Sequence, residues 1–258
     1  MLARLWGDAT LRRRAALAAG LTMLCWLVSG GSAGAAAFFV NPIRADLSAQ
    51  HGVAALTVTN GGAAPTVIQL EVLAWSQRDG QDVYLPSTEL LATPPIFTVP
   101  AGASQIVRIG LRRAVDPRDE LSYRVYLREV PAPPRPDFVG LTVALRMGVP
   151  VFVAPASGVA SAALRWTVAP AGPGQVRLTV SNAGTGHAQI TGFTLAQGAA
   201  SAPLAQKKMV AYVLAGQQQS WLLPANPQGD QPLRLRVDAD GARVDTELTL
   251  EKSGADHH

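Results

Sequence analysis

Histidines are the residues of this chain that could most readily hold a metal ion. There are four of them: His51, His187, His257 and His258. The last two lie at the end of the sequence, and the first two have no Cys, Asp or Glu at the spacing typical of metal ligands. The pattern therefore favours solvated turn residues, and we expect no metal site.

Acidic residues could supply paired carboxylates for acid–base catalysis, but here they lie in turn-like segments. The residues concerned are Asp79, Asp82, Asp116 and Asp119, within the stretches RDGQD and DPRDE. In such segments Asp favours hydrogen bonds to nearby backbone amides. The sequence also contains neither a P-loop nor a G-x-G-x-x-G fingerprint. We therefore expect a binding protein and not an enzyme.

The stretch LTVALRMGVPVFV, residues 141–153, indicates what such a protein could bind with. Every second residue is apolar: Leu141, Val143, Leu145, Met147, Val149 and Val151. This is the period of a strand with one apolar face. The opposite face is not cleanly polar, and Pro150 interrupts the strand. Alternation alone leaves two interpretations open, because such a face can fill the protein's own core or insert into another protein.

The segments that must position this strand are predicted to be strands as well. Short apolar runs separated by Gly, Pro, Asn and Asp clusters are typical of β-sandwiches. Candidate strands before it are 53–60, 66–77, 96–99, 104–111 and 121–130, and those after it are 163–168, 175–182, 188–196, 209–215, 219–224, 233–239 and 243–250. We expect an all-β protein with two immunoglobulin-like β-sandwich domains, residues 38–155 and 156–250, and a flexible tail at 251–258. The stretches AALTVTNGG and VRLTVSNAG indicate a weak internal repeat.

The first 37 residues have the pattern of a secretory signal peptide. Arg4 and Arg12–Arg14 precede a long apolar run that ends in small residues. An uncleaved membrane anchor is the alternative, because the run is long enough to span. Cleavage would remove Cys25, the sole cysteine. Four of the 22 Lys and Arg and one of the 18 Asp and Glu lie in this segment, which leaves 18 against 17. That balance gives no reason to expect nucleic-acid binding.

The order of motifs in the rest of the chain resembles one known family, the PapD-like periplasmic pilus chaperones of the chaperone–usher pathway. The stretches that carry the resemblance are NPIR (41–44), LTVTN (56–60), LLATPPIFTVPAGASQIVRI (90–109), YRVYLREVP (123–131), PVFVAP (150–155), AYVLAG (211–216) and SWLLP (220–224). LAWSQRDG (73–80), PPIFTV (94–99) and PVFVAP look most like the archaic-type branch, whose clients resemble spore-coat-U-like pilins.

The resemblance implies a function for the apolar strand. Chaperones of this family have two immunoglobulin-like domains set at an angle. They lend a strand to a pilus subunit that lacks its last one, and then deliver the subunit to an outer-membrane usher. Position by position, Leu141, Val143 and Leu145 match the donor residues, with Met147 and Val149 continuing the row. No cofactor is expected, since the client's own folding supplies the energy. The rival interpretation is a structural pilus subunit or surface adhesin built from the same sandwich.

The resemblance also implies an anchor for the client's C-terminal carboxylate. Arg44 matches the family's arginine near the N-terminus, and a guanidinium can pair with a carboxylate through two parallel hydrogen bonds. The lysine that usually completes this anchor falls at Pro150, so Arg108 or Arg146 is the candidate second cation. The interdomain salt bridge of the family also changes, because its arginine is Ala154 here while its acidic position is retained as Glu120.

Overall fold

A computed structural model describes residues 38–131, 133, 143–198, 202–229 and 231–251. These ranges contain strands and no helix, which confirms the predicted all-β class. The strands are β1 (Phe38–Asn41), β2 (Ala45–Leu47), β3 (Val53–Asn60), β4 (Thr66–Arg78), β5 (Gln81–Pro86), β6 (Leu90–Thr93), β7 (Ile96–Val99), β8 (Ser104–Leu111), β9 (Leu121–Val130), β10 (Arg146–Val153), β11 (Leu164–Gly172), β12 (Gln175–Asn182), β13 (Ala188–Gln197), β14 (Ala205–Val213), β15 (Gln218–Pro224), β16 (Leu233–Ala239) and β17 (Ala242–Leu248).

The first sandwich contains strands β1 to β10 in two facing sheets. One sheet has the order β1-β3-β8-β6, and the other β2-β10-β9-β4-β5, with β7 pairing beside the first part of β4. Alternate residues turn inwards, so Leu56 and Val58 of β3 meet Val125 and Leu127 of β9 in a common core. β2 runs parallel to β10, whereas β9 runs antiparallel to it.

The second sandwich contains strands β11 to β17, in the orders β11-β12-β15 and β14-β13-β16-β17. Its core is a separate apolar cluster that includes Leu178, Leu195 and Leu235. Residues 154–163, between the two cores, contain no strand. Immunoglobulin-like sandwiches in tandem are therefore confirmed, while the domain boundaries at 155 and 156 stay predictions.

A buried asparagine ends the equivalent strand in each sandwich. Asn60 closes β3, where its Nδ2 donates to the carbonyls of Ala64 and Val99 at 2.8 and 2.9 Å. Asn182 closes β12, where its Nδ2 donates to the carbonyls of Gly186 and Val213 at 2.7 and 3.0 Å. In both cases Oδ1 accepts the amide hydrogen of the residue two positions on. The sequence repeat thus corresponds to the same hydrogen-bonded corner.

The predicted strands agree with the structure wherever the apolar pattern is strong. β3, β7, β8, β9, β12 and β16 have the predicted bounds. The sequence analysis missed β1, β2, β5 and β6. These strands are short, and β5 follows directly on the two-residue turn Asp79-Gly80, both with positive φ. Asp-Gly is a strong turn signal, so the sequence predicts a turn over residues 78–82, which include the first residues of this strand. The strand predicted at 141–153 begins at Arg146 among the described residues.

Candidate functional site

The apolar row of the predicted donor strand passes from solvent into the core. Val143 is 74% exposed, Leu145 and Met147 are half-buried at the rim of the first core, and Val149 is 1% exposed inside it. Leu141 lies outside the described residues. From Val149 onwards the apolar row therefore fills the protein's own core. The burial of Val149 argues against a direct contact between this side chain and a partner. The accessible part of the row is Val143, Leu145 and Met147.

One edge of β10 is only partly covered. β9 pairs with β10 along its whole length, from Arg146 to Val153. On the other side, β2 pairs only with Val151–Val153. Within the part of the chain that the structure describes, no strand lies against the outer edge of residues 146–150. The backbone of this segment is therefore available to hydrogen-bond another strand.

Arg44 directly precedes β2, beside that edge. Ala45 pairs with Val151, so Arg44 is level with Pro150 across the two strands. Ala45 and Val151 both face the core, which puts Arg44 on the outer face of the sheet, where its side chain is 44% exposed. Its Nε donates to Asp46 Oδ2 at 3.0 Å. An exposed pair of this kind contributes little to stability, so Arg44 is accessible to another carboxylate.

The two candidate second cations have other positions. Arg108 lies on β8, between the buried Val107 and Ile109, and faces outwards from the opposite sheet. The structure therefore does not bring Arg108 together with Arg44, which corrects that candidate. Arg146 shares the outer face with Pro150 but lies four residues earlier, about 13 Å along the strand. Its guanidinium is already engaged, because Nη2 donates to Glu71 at 2.9 Å and Cζ lies 3.7 Å from the centre of the Tyr126 ring.

A cation that the sequence analysis missed lies directly beside Pro150. Arg124 of β9 is the cross-strand partner of Pro150, so the two side chains share the outer face. The Arg124 Cζ lies 4.1 Å from the centre of the Trp75 ring, and Nη2 donates to the Tyr84 hydroxyl at 3.4 Å. Nothing in the stretch YRVYLREVP distinguishes Arg124 from Arg128. Only the register of β9 against β10 shows which of them faces Pro150.

Aromatic rings surround Arg124 and connect the two sandwiches. Trp75 and Phe152 pack with Leu214 of the second sandwich, and Tyr84 and Tyr212 pack against them. The pKa of the Tyr84 hydroxyl is raised to about 12, chiefly by burial; the Arg124 guanidinium opposes this rise and the neighbouring Asp82 carboxylate adds to it. The phenol is therefore neutral at physiological pH and donates to Asp82 Oδ2 at 3.1 Å.

Hydrogen bonds from Gln77 also join the sandwiches. The buried Gln77 amide donates to the carbonyl of Tyr212 at 2.7 Å and to Asp82 Oδ1 at 2.9 Å. Its own oxygen accepts the Leu214 amide hydrogen at 3.1 Å. Asp82 thus lies in the strand β5 and helps to organise this contact, whereas the sequence placed it in a turn. Asp116, by contrast, accepts two backbone amide hydrogens, from Arg118 and Asp119, as a turn residue does.

The retained acidic residue Glu120 pairs with a histidine. His187 Nδ1 lies 2.7 Å from Glu120 Oε1, and the His187 backbone amide donates to the same oxygen at 3.1 Å. The two side chains are only 11% and 7% exposed. The imidazole also stacks on Phe152, with ring centres 3.5 Å apart. The expectation of a solvated His187 is therefore wrong. His187 joins the sandwiches through Glu120, whereas the arginine position of the family's salt bridge is occupied by Ala154.

Two other classes of site find no support in the described ranges. No group of three or more His, Cys, Asp or Glu there could hold a metal ion. Among the same residues, no helix has the length and apolar character needed to cross a bilayer.

The comparisons with known proteins agree with the architecture. Residues 37–158 match the model of the family described as pili and flagellar-assembly chaperone, PapD N-terminal domain. No curated protein sequence matches.

Solved structures share the fold at low identity. A chain of the CsuC–CsuE chaperone–tip adhesion subunit complex, from the archaic chaperone-usher Csu pili of Acinetobacter baumannii, is 19% identical with a TM-score of 0.65. That match covers 84% of this chain and 100% of that chain. A chain of the SafA pilin–SafB chaperone complex of Salmonella enterica is also 19% identical, with a TM-score of 0.59 and coverage of 85% and 99%. The E. coli chaperone DraB is 19% identical, with a TM-score of 0.54 and coverage of 84% and 97%.

Proposed function

Since the domain at residues 37–158 belongs to the PapD N-terminal domain family of pili and flagellar-assembly chaperones, we propose that this chain is a periplasmic chaperone for pilus subunits. It binds them by donor-strand complementation and delivers them to an outer-membrane usher. The family is one of chaperones rather than enzymes, and the proposal involves no cofactor. The signal-peptide pattern of residues 1–37 supports the periplasmic location.

The observation that carries the proposal is the uncovered edge of β10 beside an accessible apolar row. A subunit that lacks a strand has unpaired backbone groups and an open groove over its core. β10 and the residues before it offer a backbone edge for those unpaired groups and apolar side chains for the groove. No strand of the described residues lies against the outer edge of residues 146–150, and Val143, Leu145 and Met147 are not fully covered by the described part of the chaperone's own core. Full burial of an exposed apolar side chain contributes about 1.5–3 kcal/mol, so the gain is largest for Val143 and smaller for the half-buried Leu145 and Met147.

Arg44 supports the same proposal as the anchor of the client's C-terminus. It lies level with Pro150 on the outer face of the sheet, where the covered part of β10 begins. A carboxylate held there would fix the register of the added strand against β10. Register matters because a shift of one residue turns every side chain to the wrong face. The exposed carboxylate of Asp46 occupies one edge of the guanidinium, and a client carboxylate would compete with it.

The test is to recover partners of the tagged chain from a periplasmic extract and identify them by mass. Wild-type protein is expected to retain an immunoglobulin-like subunit that lacks one strand. Leu145→Glu is expected to lose it, because a charge in the subunit groove would be buried without a partner. Arg44→Ala is expected to lose it as well, since truncating one partner of a desolvated charge pair costs about 2–5 kcal/mol.

The matched control is Val210→Glu, a change of the same kind at a residue of the second sandwich that is 70% exposed. This variant is expected to retain the subunit. Thermal unfolding must show that each variant is folded. Full recovery of the subunit by folded Leu145→Glu would return the apolar row to the chaperone's own core and end the proposal.

A further inference from the structure

Three residues form a line across neighbouring strands on the outer face of the first sandwich. Arg44 is level with Pro150 through the pairing of β2 with β10, and Arg124 is level with Pro150 through the pairing of β9 with β10. Neighbouring strands lie about 4.8 Å apart, so the backbones of the two arginines are about 10 Å apart with Pro150 midway. Each arginine side chain is long enough to reach over the proline, so both guanidinium groups can meet one ligand there.

The segment of β10 between the arginines carries no charge of its own, and Pro150 within it is buried. Pro150 has a short ring and no N–H, and the preceding residue on the same face is Gly148. A Cβ atom at Gly148 would lie 2.7 Å from the Tyr126 ring, so this position has no room for a side chain. β10 therefore supplies no cation at the point where the family resemblance places a lysine, and the side chains of the neighbouring strand β9 cover it.

Arg124 is also incompletely paired. Its Nε is buried and has no hydrogen-bond partner among the described residues. In the same ranges, no Asp or Glu forms a salt bridge with Arg124; its polar contact is the 3.4 Å bond to the Tyr84 hydroxyl. The face of Trp75 at 4.1 Å stabilises the cation but does not neutralise it. A half-buried guanidinium in this state can bind an anion without first breaking an ion pair.

The nearby acidic groups are already occupied. Asp82 accepts hydrogen bonds from Gln77, Tyr84 and Gln219. Asp46 pairs with Arg44. The hydroxyl of Tyr212 lies close enough to both arginines that each opposes the rise in its pKa that burial causes. The Asp46 and Asp240 carboxylates act on the same hydroxyl in the opposite sense, and Asp240 accepts the Gln189 amide hydrogen at 2.8 Å. Both arginines therefore lie near this hydroxyl, together with carboxylates that already have partners.

We infer that Arg124 is the second cation of the carboxylate anchor, and that it holds the C-terminal carboxylate of the bound subunit together with Arg44, above Pro150. The inference rests on the proposed function and names a residue for it. In this chain the two cations are arginines that flank β10, one beside β2 and one on β9. The pattern that the resemblance implies instead has one arginine and one lysine, with the lysine on the donor strand itself. A carboxylate has two oxygens, so each of them can accept a hydrogen bond from one of the two arginines.

The test uses Arg124→Met, which keeps the length and apolar contact of the side chain over Trp75 but removes the charge. Its matched control is Arg128→Met, on the same strand and the same face, where the exposed guanidinium donates to Gln69. Each full chain is titrated with the subunit that copurifies with the wild-type protein, and with the same subunit extended by two residues at its C-terminus. Arg124→Met is expected to weaken binding of the natural subunit about 30-fold or more, equivalent to about 2 kcal/mol. Arg128→Met is expected to change it less than twofold.

The extended subunit separates anchoring from structural support. It no longer presents its carboxylate above Pro150, so Arg124→Met is expected to cause no further loss of its affinity. Arg124→Lys, which keeps the charge, is expected to regain most of the affinity for the natural subunit. Wild-type affinity in Arg124→Met would overturn the inference, and so would an equal loss for both subunit forms. If Leu145→Glu abolishes binding while Arg124→Met does not, only this inference fails; if the wild-type chain retains no subunit, the proposed function fails with it.

Discussion

Shortening Val143 to alanine removes two methyl groups from a side chain that is 74% exposed in the free protein. If a subunit buries that side chain, each methyl contributes about 0.8 kcal/mol to binding, so Val143→Ala costs about 1.6 kcal/mol. This corresponds to a dissociation constant about 15-fold higher. The free energy of unfolding of the free chain is expected to change by less than about 0.5 kcal/mol, because Val143 makes little contact with its own core.

The assay is a titration of wild type and Val143→Ala with the copurified subunit, alongside chemical denaturation of each free chain. Val210→Ala is the matched control, because Val210 is 70% exposed on the second sandwich. Its affinity for the subunit is expected to stay within twofold of wild type. Equal affinities for Val143→Ala and Val210→Ala would mean that Val143 remains in solvent in the complex, and the donor row would then begin further along the chain.

Two other predictions concern the contact between the sandwiches. His187→Ala removes the stack on Phe152 and leaves the buried Glu120 carboxylate without its imidazole partner. In urea titrations the free energy of unfolding is therefore expected to fall by about 2–4 kcal/mol. The control Arg236→Ala breaks the exposed pair with Asp245 and should cost under about 1 kcal/mol; an equal cost for both variants would contradict the role of burial. Burial raises the pKa of the Tyr84 hydroxyl to about 12, so the folded state holds the phenol proton more tightly than the unfolded state does. The free energy of unfolding is therefore expected to fall as the pH rises from about 10 to 12. Ultraviolet titration of the Tyr84→Phe variant should lack a step near pH 12, and loss of a step near pH 10 would show that Tyr84 is solvated instead.

The sequence predicts most of this fold because period-2 patterns specify strands directly. β3, β9 and β12 alternate so regularly that their bounds follow from the residues alone. β2 could not be found in this way, since three residues, Ala45–Leu47, carry no measurable period. Its existence depends on pairing with β10, which is remote in the chain.

The candidate site likewise has one part that the sequence predicts and another part that depends on contacts remote in the chain. The apolar row is visible in the sequence, but its gradient from the exposed Val143 to the buried Val149 depends on where the sandwich ends. Arg124 and His187 were missed for a related reason. Each acquires its surroundings from a strand or sandwich distant in sequence, Pro150 in one case and Glu120 in the other. The spacing of residues within one segment does not show which residues of a distant strand or of the other sandwich will lie beside them.

The half-covered edge of β10 has a consequence for the molecule when it is alone. A bare edge next to apolar side chains is a template on which a second copy of the same protein could align. Here proline at position 150 withholds one backbone donor from any such ladder. Proline and charged side chains are the devices by which natural sheets resist homotypic pairing. The proline therefore disfavours pairing of this edge with the same edge of a second copy.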